Sequence, residues 1–101
     1  MAEFEIRLHP AAVGEAERAM DWYRKRSLVA ASGFLDELDR AIKRIAESPY
    51  SWPRYIEGTR RYLLANFPFS VVYRTRNQFV EVLAIAHHKR RPGYWGERRR
   101  V

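Results

Sequence analysis

The stretch His87-His88-Lys89-Arg90-Arg91-Pro92-Gly93-Tyr94-Trp95 sets two imidazoles, three fixed cations and two aromatic rings side by side. An imidazole titrates close to neutral pH, so His87 or His88 is able to take or give a proton there. Lysine and arginine attract and hold anions. The stretch follows at once on Phe79-Val80-Glu81-Val82-Leu83-Ala84-Ile85-Ala86, an apolar run that reads as a buried strand. Such a strand delivers its polar end to the surface at one point, where sites tend to form. Plainer roles exist for the same residues. His87 and His88 suit capping of the strand by hydrogen bonds to backbone, and Lys89-Arg90-Arg91 suits a solvated run. Tyr94 and Trp95 suit packing, because an aromatic after Pro-Gly often folds back onto a sheet. Position at the end of the sheet favours function for the cations and packing for the two rings.

Charge supports that emphasis. From Arg60 to Val101 there are ten Lys/Arg against Glu81 and Glu97, a net of +8, whereas Met1 to Thr59 carries nine against ten, a net of −1. A field segregated this way attracts a polyanion or an acidic protein. No cysteine is present, which removes disulfides and Cys-based zinc sites. His9 is remote from His87 and His88, and no carboxylate shows ligand spacing, so neither metal nor cofactor is expected. No apolar run approaches the roughly 20 residues that span a bilayer. The first residues lack a signal-peptide core, so a cytoplasmic protein without membrane contact is expected.

Elements must position these groups. Phe4, Ile6 and Leu8 alternate with charged residues as a short strand. Pro10 opens a helix to about Arg26, with Val13, Ala16, Met20 and Tyr23 on one stripe. A second helix runs from about Val29 to Glu47, with Ala31, Phe34, Leu35, Leu38, Ala41, Ile42 and Ile45 as its apolar face, and Ser48-Pro49 stops it. The short Ser27-Leu28 joint makes the pair an antiparallel hairpin. After an irregular stretch pinned by Trp52 and Tyr55 come three strands: Arg60 to Ala65, Phe67 to Thr75, and Gln78 to His87 after a turn at Arg76-Asn77. The last is apolar on both faces apart from Glu81 and therefore central. This predicts one α+β domain over 1–101, β-α-α-β-β-β, an antiparallel sheet with the helical hairpin on one face. The basic end, 96–101 with Arg98-Arg99-Arg100, reads as a flexible tail. Trp22 falls off the first helix's stripe and suits a partner interface.

The ordered set Arg61-Tyr62-Leu63-Leu64-Ala65-Asn66-Phe67-Pro68-Phe69-Ser70-Val71-Val72-Tyr73-Arg74, then Val82 to Trp95 as above, resembles the RelE/ParE superfamily of type II toxin–antitoxin toxins, which includes plasmid-stabilisation proteins. Asp36-Glu37-Leu38 followed by Ile45-Ala46-Glu47-Ser48-Pro49 is similar to that family's second helix and its stop. The resemblance covers about Glu3 to Arg98. It implies a growth-inhibiting toxin neutralised by a cognate acidic antitoxin. RelE-like members cut mRNA on the ribosome; ParE-like members poison DNA gyrase.

The nuclease chemistry needs a base for the 2′-hydroxyl, cations on the phosphorane and an acid for the leaving oxygen. By resemblance, Arg61 falls on a family lysine and Arg90 on a basic residue after the last strand. Tyr94 lies within two places of the family tyrosine. Ser70 falls where the nuclease branch has a catalytic arginine, and a serine supplies no charge. The resemblance therefore implies a ParE-like toxin that inhibits by binding. Arg60, Arg61, Arg74, Lys89, Arg90, Arg91 and Trp95 are the candidates for target or antitoxin contact. The alternatives are a ribosome-dependent mRNA endonuclease using His87, His88, Arg61, Arg90 and Tyr94, and a non-toxic binding module. A homodimer and a toxin–antitoxin hetero-oligomer both fit.

Overall fold

The computed structural model describes residues 3–100. Strand β1 (Glu5–Leu8) leads into helix α1 (Pro10–Arg24) and helix α2 (Leu28–Glu47). Strands β2 (Arg60–Leu63), β3 (Phe69–Arg76) and β4 (Phe79–His87) follow. The sheet order is β1-β4-β3-β2, so β4 is central as its two apolar faces require. The α+β class and the element order match the sequence reading. One edge departs from the antiparallel sheet it expected: β1 pairs with β4 in parallel, and the sheet is mixed. The α1–α2 hairpin is the crossover that a parallel pair needs.

Local chemistry sets the element ends. His9 caps α1 by accepting from Ala11 N–H at its Nδ1, and Pro10 occupies the first turn. Ser27 Oγ accepts from Ala30 N–H at the start of α2. The β3–β4 hairpin closes at Asn77, whose φ of 54° asparagine tolerates better than most residues.

Packing is two-sided. Between the helices and the sheet lie Phe34, Leu38, Ala41, Ile45, Val71, Tyr73, Val80, Val82 and Ile85. Tyr73 donates from its hydroxyl to the Pro49 carbonyl, 2.5 Å away, and burial pushes its phenol up to about 12. On the opposite face Val72, Leu83 and Ala84 pack under Trp95. The change of face comes from a β-bulge: Val72 pairs with Ala84 and Tyr73 with Val82, leaving Leu83 extra. Leu83 and Ala84 thus both face Trp95, and Ile85 returns to the helix side.

Both expected apolar stripes face the core except at Val13 and Leu35. The buried residues of α1 are Ala12, Glu15 and Ala19, while Val13 is exposed at the edge. On α2, Leu35 is likewise exposed and Glu37 takes a buried place. Each buried carboxylate, Glu15 and Glu37, has polar partners there. Glu37 accepts from Asn66 N–H at 2.9 Å and from the Asn66 amide at 3.0 Å, tying the β2–β3 connection to α2.

Candidate functional site

β1 ends at Leu8, and beyond Val82 its neighbour β4 would carry an open edge on that side. Unpaired backbone groups there need partners. Glu15 supplies one, accepting from Ile85 N–H at 3.0 Å. Arg98 supplies the other, donating to the Leu83 carbonyl at 3.0 Å. The two side chains join in a two-toothed ion pair, 3.0 and 3.1 Å. The Tyr94 hydroxyl completes the set by donating to Glu15 at 2.7 Å. Burial, then the Glu15 hydrogen bond and charge, push the Tyr94 phenol far above its ordinary value, so it stays protonated.

This arrangement corrects the expectation of a flexible basic tail at 96–101. Gly96–Arg100 forms a 3-10 turn, and the contacts of Arg98 and Arg99 bind it to the body; Val101 lies outside the described residues. Arg99 pairs with Glu57 at 2.7 Å, and its carbonyl accepts from Arg74 at 2.7 Å. Glu57 sits at φ 56°, a left-handed conformation rare for a non-glycine residue, and its carboxylate reaches toward Gly93 and Gly96.

At the β4 end lies a hollow of about 210 Å³. It brings together Arg61, Ser70, His87, His88, Arg90, Arg91, Tyr94 and Trp95. Consecutive strand residues point to opposite faces, which separates the histidines. His88 turns to Ser70, with Nε2 and Oγ 2.9 Å apart. His87 turns to the helix side, its ring edge-on to Phe69 at 5.0 Å. Burial, then Lys89 and His88, lower the His87 pKa from 6.5, so the ring is neutral at pH 7. His87 also accepts from Lys89 N–H at its Nδ1, 3.0 Å, the capping role foreseen for it. The Arg90 guanidinium lies 3.8 Å over the Tyr94 ring, and Arg61 lies 4.3 Å over Tyr55.

Four of the seven candidates for partner contact are covered or stand outside the hollow. Trp95 is 1% exposed and forms the centre of the second core, so it presents no surface to a partner. Arg74 pairs with Glu81 at 2.7 Å and is largely covered, because β3 pairs Arg74 opposite Glu81. Arg60 sits away from the hollow and donates to the Trp52 carbonyl at 2.7 Å. Lys89 is exposed outside the hollow's wall. Arg61, Arg90 and Arg91 do converge.

Ser70 is buried at 3% exposure and engaged with His88, and its side chain brings no charge. The Tyr94 hydroxyl is engaged as a donor to Glu15. The Nδ1 lone pair of His87 is taken up by Lys89 N–H. Among the described residues no three His, Cys, Asp or Glu side chains gather to hold a metal ion, and no helix is long and apolar enough to cross a membrane.

Comparison with protein families decides the kinship: the model described as ParE toxin of the type II toxin–antitoxin system parDE matches residues 6–92. The chain belongs to the ParE toxin family. Nine solved chains also match significantly. One, from the chromosomal ParDE toxin–antitoxin system of P. aeruginosa, superposes with a TM-score of 0.69 at 18% identity, covering 84% of this chain and 96% of that one. That likeness bears on the fold. Curated proteins give no significant match. Within the ParE family reading, Glu15 is the site residue that sequence reasoning missed. Its signal was a lone carboxylate between Ala12 and Ala19 at helical spacing, but the partner, Arg98, lies 83 residues away.

Proposed function

We propose that this ParE-family toxin arrests growth by binding DNA gyrase in the cytoplasm, and that a cognate acidic antitoxin neutralises it. The observation that carries the reading is the family match over residues 6–92, taken with a hollow that keeps its arginines but not the nuclease set. Arg61, Arg90 and Arg91 offer three charges to an acidic surface of the target. Exposed Trp22, Leu28, Val29 and Leu35 on the helical hairpin support apolar contact with an antitoxin segment.

The rival reading is a ribosome-dependent mRNA endonuclease using His87, His88, Arg61, Arg90 and Tyr94. It keeps two arginines in one hollow, yet Ser70 and the Tyr94–Glu15 bond weigh against it. Losing one charge-stabilising donor typically costs ~10²–10³ in rate. Purified protein is therefore expected to inhibit DNA supercoiling by gyrase and to leave mRNA on programmed ribosomes largely intact. Rapid A-site cleavage with unimpaired supercoiling would reverse the assignment. Antitoxin association is expected to slow with salt, as the Debye length shrinks from ~10 Å at 0.1 M to ~3 Å at 1 M. A salt-independent association rate would exclude steering by charge.

A further inference from the structure

The Glu15 side chain is buried, and both of its oxygens are fully engaged. Oε1 accepts from Ile85 N–H and from Arg98 Nη1, each at 3.0 Å. Oε2 accepts from Arg98 Nη2 at 3.1 Å and from the Tyr94 hydroxyl at 2.7 Å. An ionised carboxylate offers about four lone-pair sites, so each is filled. Arg98 is itself tied to the Leu83 carbonyl. The backbone of β4 thus gives the carboxylate one place.

Tyr94 inherits that place. Its backbone N–H donates to the Arg91 carbonyl at 3.2 Å, and Glu15 holds the hydroxyl at the far tip of the ring. The next residue, Trp95, is locked in the second core. Packing alone would be served by a phenyl ring; the hydroxyl adds a fixed direction.

Arg90 lies on this ring, its guanidinium carbon 3.8 Å from the centroid. An exposed arginine samples many rotamers, and a partner that orders it meets an entropic cost. A guanidinium resting on a fixed ring has lost part of that freedom beforehand, while its N–H edges stay open to oxygen acceptors. The other two arginines of the hollow make the contrast. Arg61 lies over Tyr55, whose ring rests against Trp95 at 6.1 Å, so packing holds it. Arg91 has no ring beneath it among the described residues.

We propose that Glu15 and Tyr94 are positioning residues for Arg90: the buried carboxylate fixes the ring through its hydroxyl, and the ring pre-orders the guanidinium that meets the partner. The identity of that partner rests on the gyrase reading; the chain from Glu15 through Tyr94 to Arg90 is tested without gyrase.

The test is nitrogen-15 relaxation of the arginine Nε–H groups in the full chain, paired with inhibition of supercoiling. In the wild type, Arg90 and Arg61 are expected to be more ordered than Arg91. Tyr94→Phe keeps the ring and removes the hydroxyl. It should loosen Arg90 toward the mobility of Arg91 and leave Arg61 unchanged, and it should weaken gyrase inhibition by about twofold to tenfold, the cost of ordering one long side chain on binding. In an Arg90→Ala background the same change should have no further effect on inhibition, because the group it positions is gone. A merely structural hydroxyl would weaken inhibition equally in both backgrounds, and that result overturns the proposal. So does an Arg90 as mobile as Arg91 in the wild type, a measurement that needs no variant to fold, or an Arg90 whose order survives Tyr94→Phe. Wild-type protein that leaves supercoiling intact would end the gyrase reading, and relaxation alone would then decide the positioning.

Discussion

Arg74, Arg98 and Arg99 each meet a carboxylate, whereas Arg61, Arg90 and Arg91 form no such pair among the described residues, although all six belong to the same basic third of the chain. The first group lies along the β4 edge and under the terminal turn. There a guanidinium removed from water needs an opposite charge and hydrogen bonds to offset its desolvation. The second group lines the hollow at the end of the sheet, where water reaches the charges and aromatic rings hold the planes of Arg61 and Arg90. Net positive charge alone does not identify a site, because half of these arginines are spent on architecture. The informative arginines are the ones whose charge the fold leaves uncancelled.

The hardest blow to this division is aimed at the paired group. Glu15→Ala would leave Arg98 without its partner and strip the acceptor from Ile85 N–H and the Tyr94 hydroxyl. Breaking a buried pair from one side costs about 3–5 kcal/mol. Urea denaturation checks it; a midpoint equal to wild type would mean that the Glu15–Arg98 link does not secure the terminal segment.

Leu38→Ala supplies an apolar yardstick for that loss. Leu38 is buried between helix and sheet, and removing its methyl groups should cost about 2–5 kcal/mol. If Glu15→Ala proves far milder than Leu38→Ala, the polar latch is secondary to the core.

A gentler probe titrates a carboxylate that no arginine pairs directly. Burial acts to raise the Glu37 pKa, but hydrogen bonds from Asn66 and Ala65 N–H and the nearby charge of Arg40 outweigh it, and the net is below 4.5. A group whose pKa is depressed by folding stabilises the fold above its unfolded value, and that contribution is lost as pH falls. Stability should therefore decline on acidification below about 4.5, with part of the decline absent in Glu37→Gln. Identical acid profiles for the two proteins would remove Glu37 from the account.

Periodicity carried much of the fold because its elements are locally encoded. The alternation of Phe69, Val71 and Tyr73 and the doubly apolar β4 predict a central strand, and β4 is central. Three things escaped local patterns. The parallel pairing of β1 depends on where the hairpin returns the chain. The bulge at Leu83 shifts the phase of β4 by one residue with no glycine or proline to mark it. The Glu15–Arg98 link joins residues from opposite ends of the chain, so each looked like an ordinary surface charge. At the site, Arg61, Arg90, Arg91, His87 and His88 were legible as a group because β2 and β4 flank β3 and end together. Trp95 packs into the second core, as its place after Pro-Gly favoured, so its inclusion among the contact candidates does not hold. Arg74 was misread because cross-strand pairing with Glu81 requires the register.

The division of labour among the arginines is tested most directly by one paired measurement on the Arg61→Ala/Arg90→Ala double variant: inhibition of gyrase supercoiling, with the urea midpoint taken on the same sample. The account predicts inhibition weakened about tenfold or more, because two charge-assisted contacts are gone, with stability within about 0.5 kcal/mol of wild type. Undiminished inhibition at unchanged stability would contradict it.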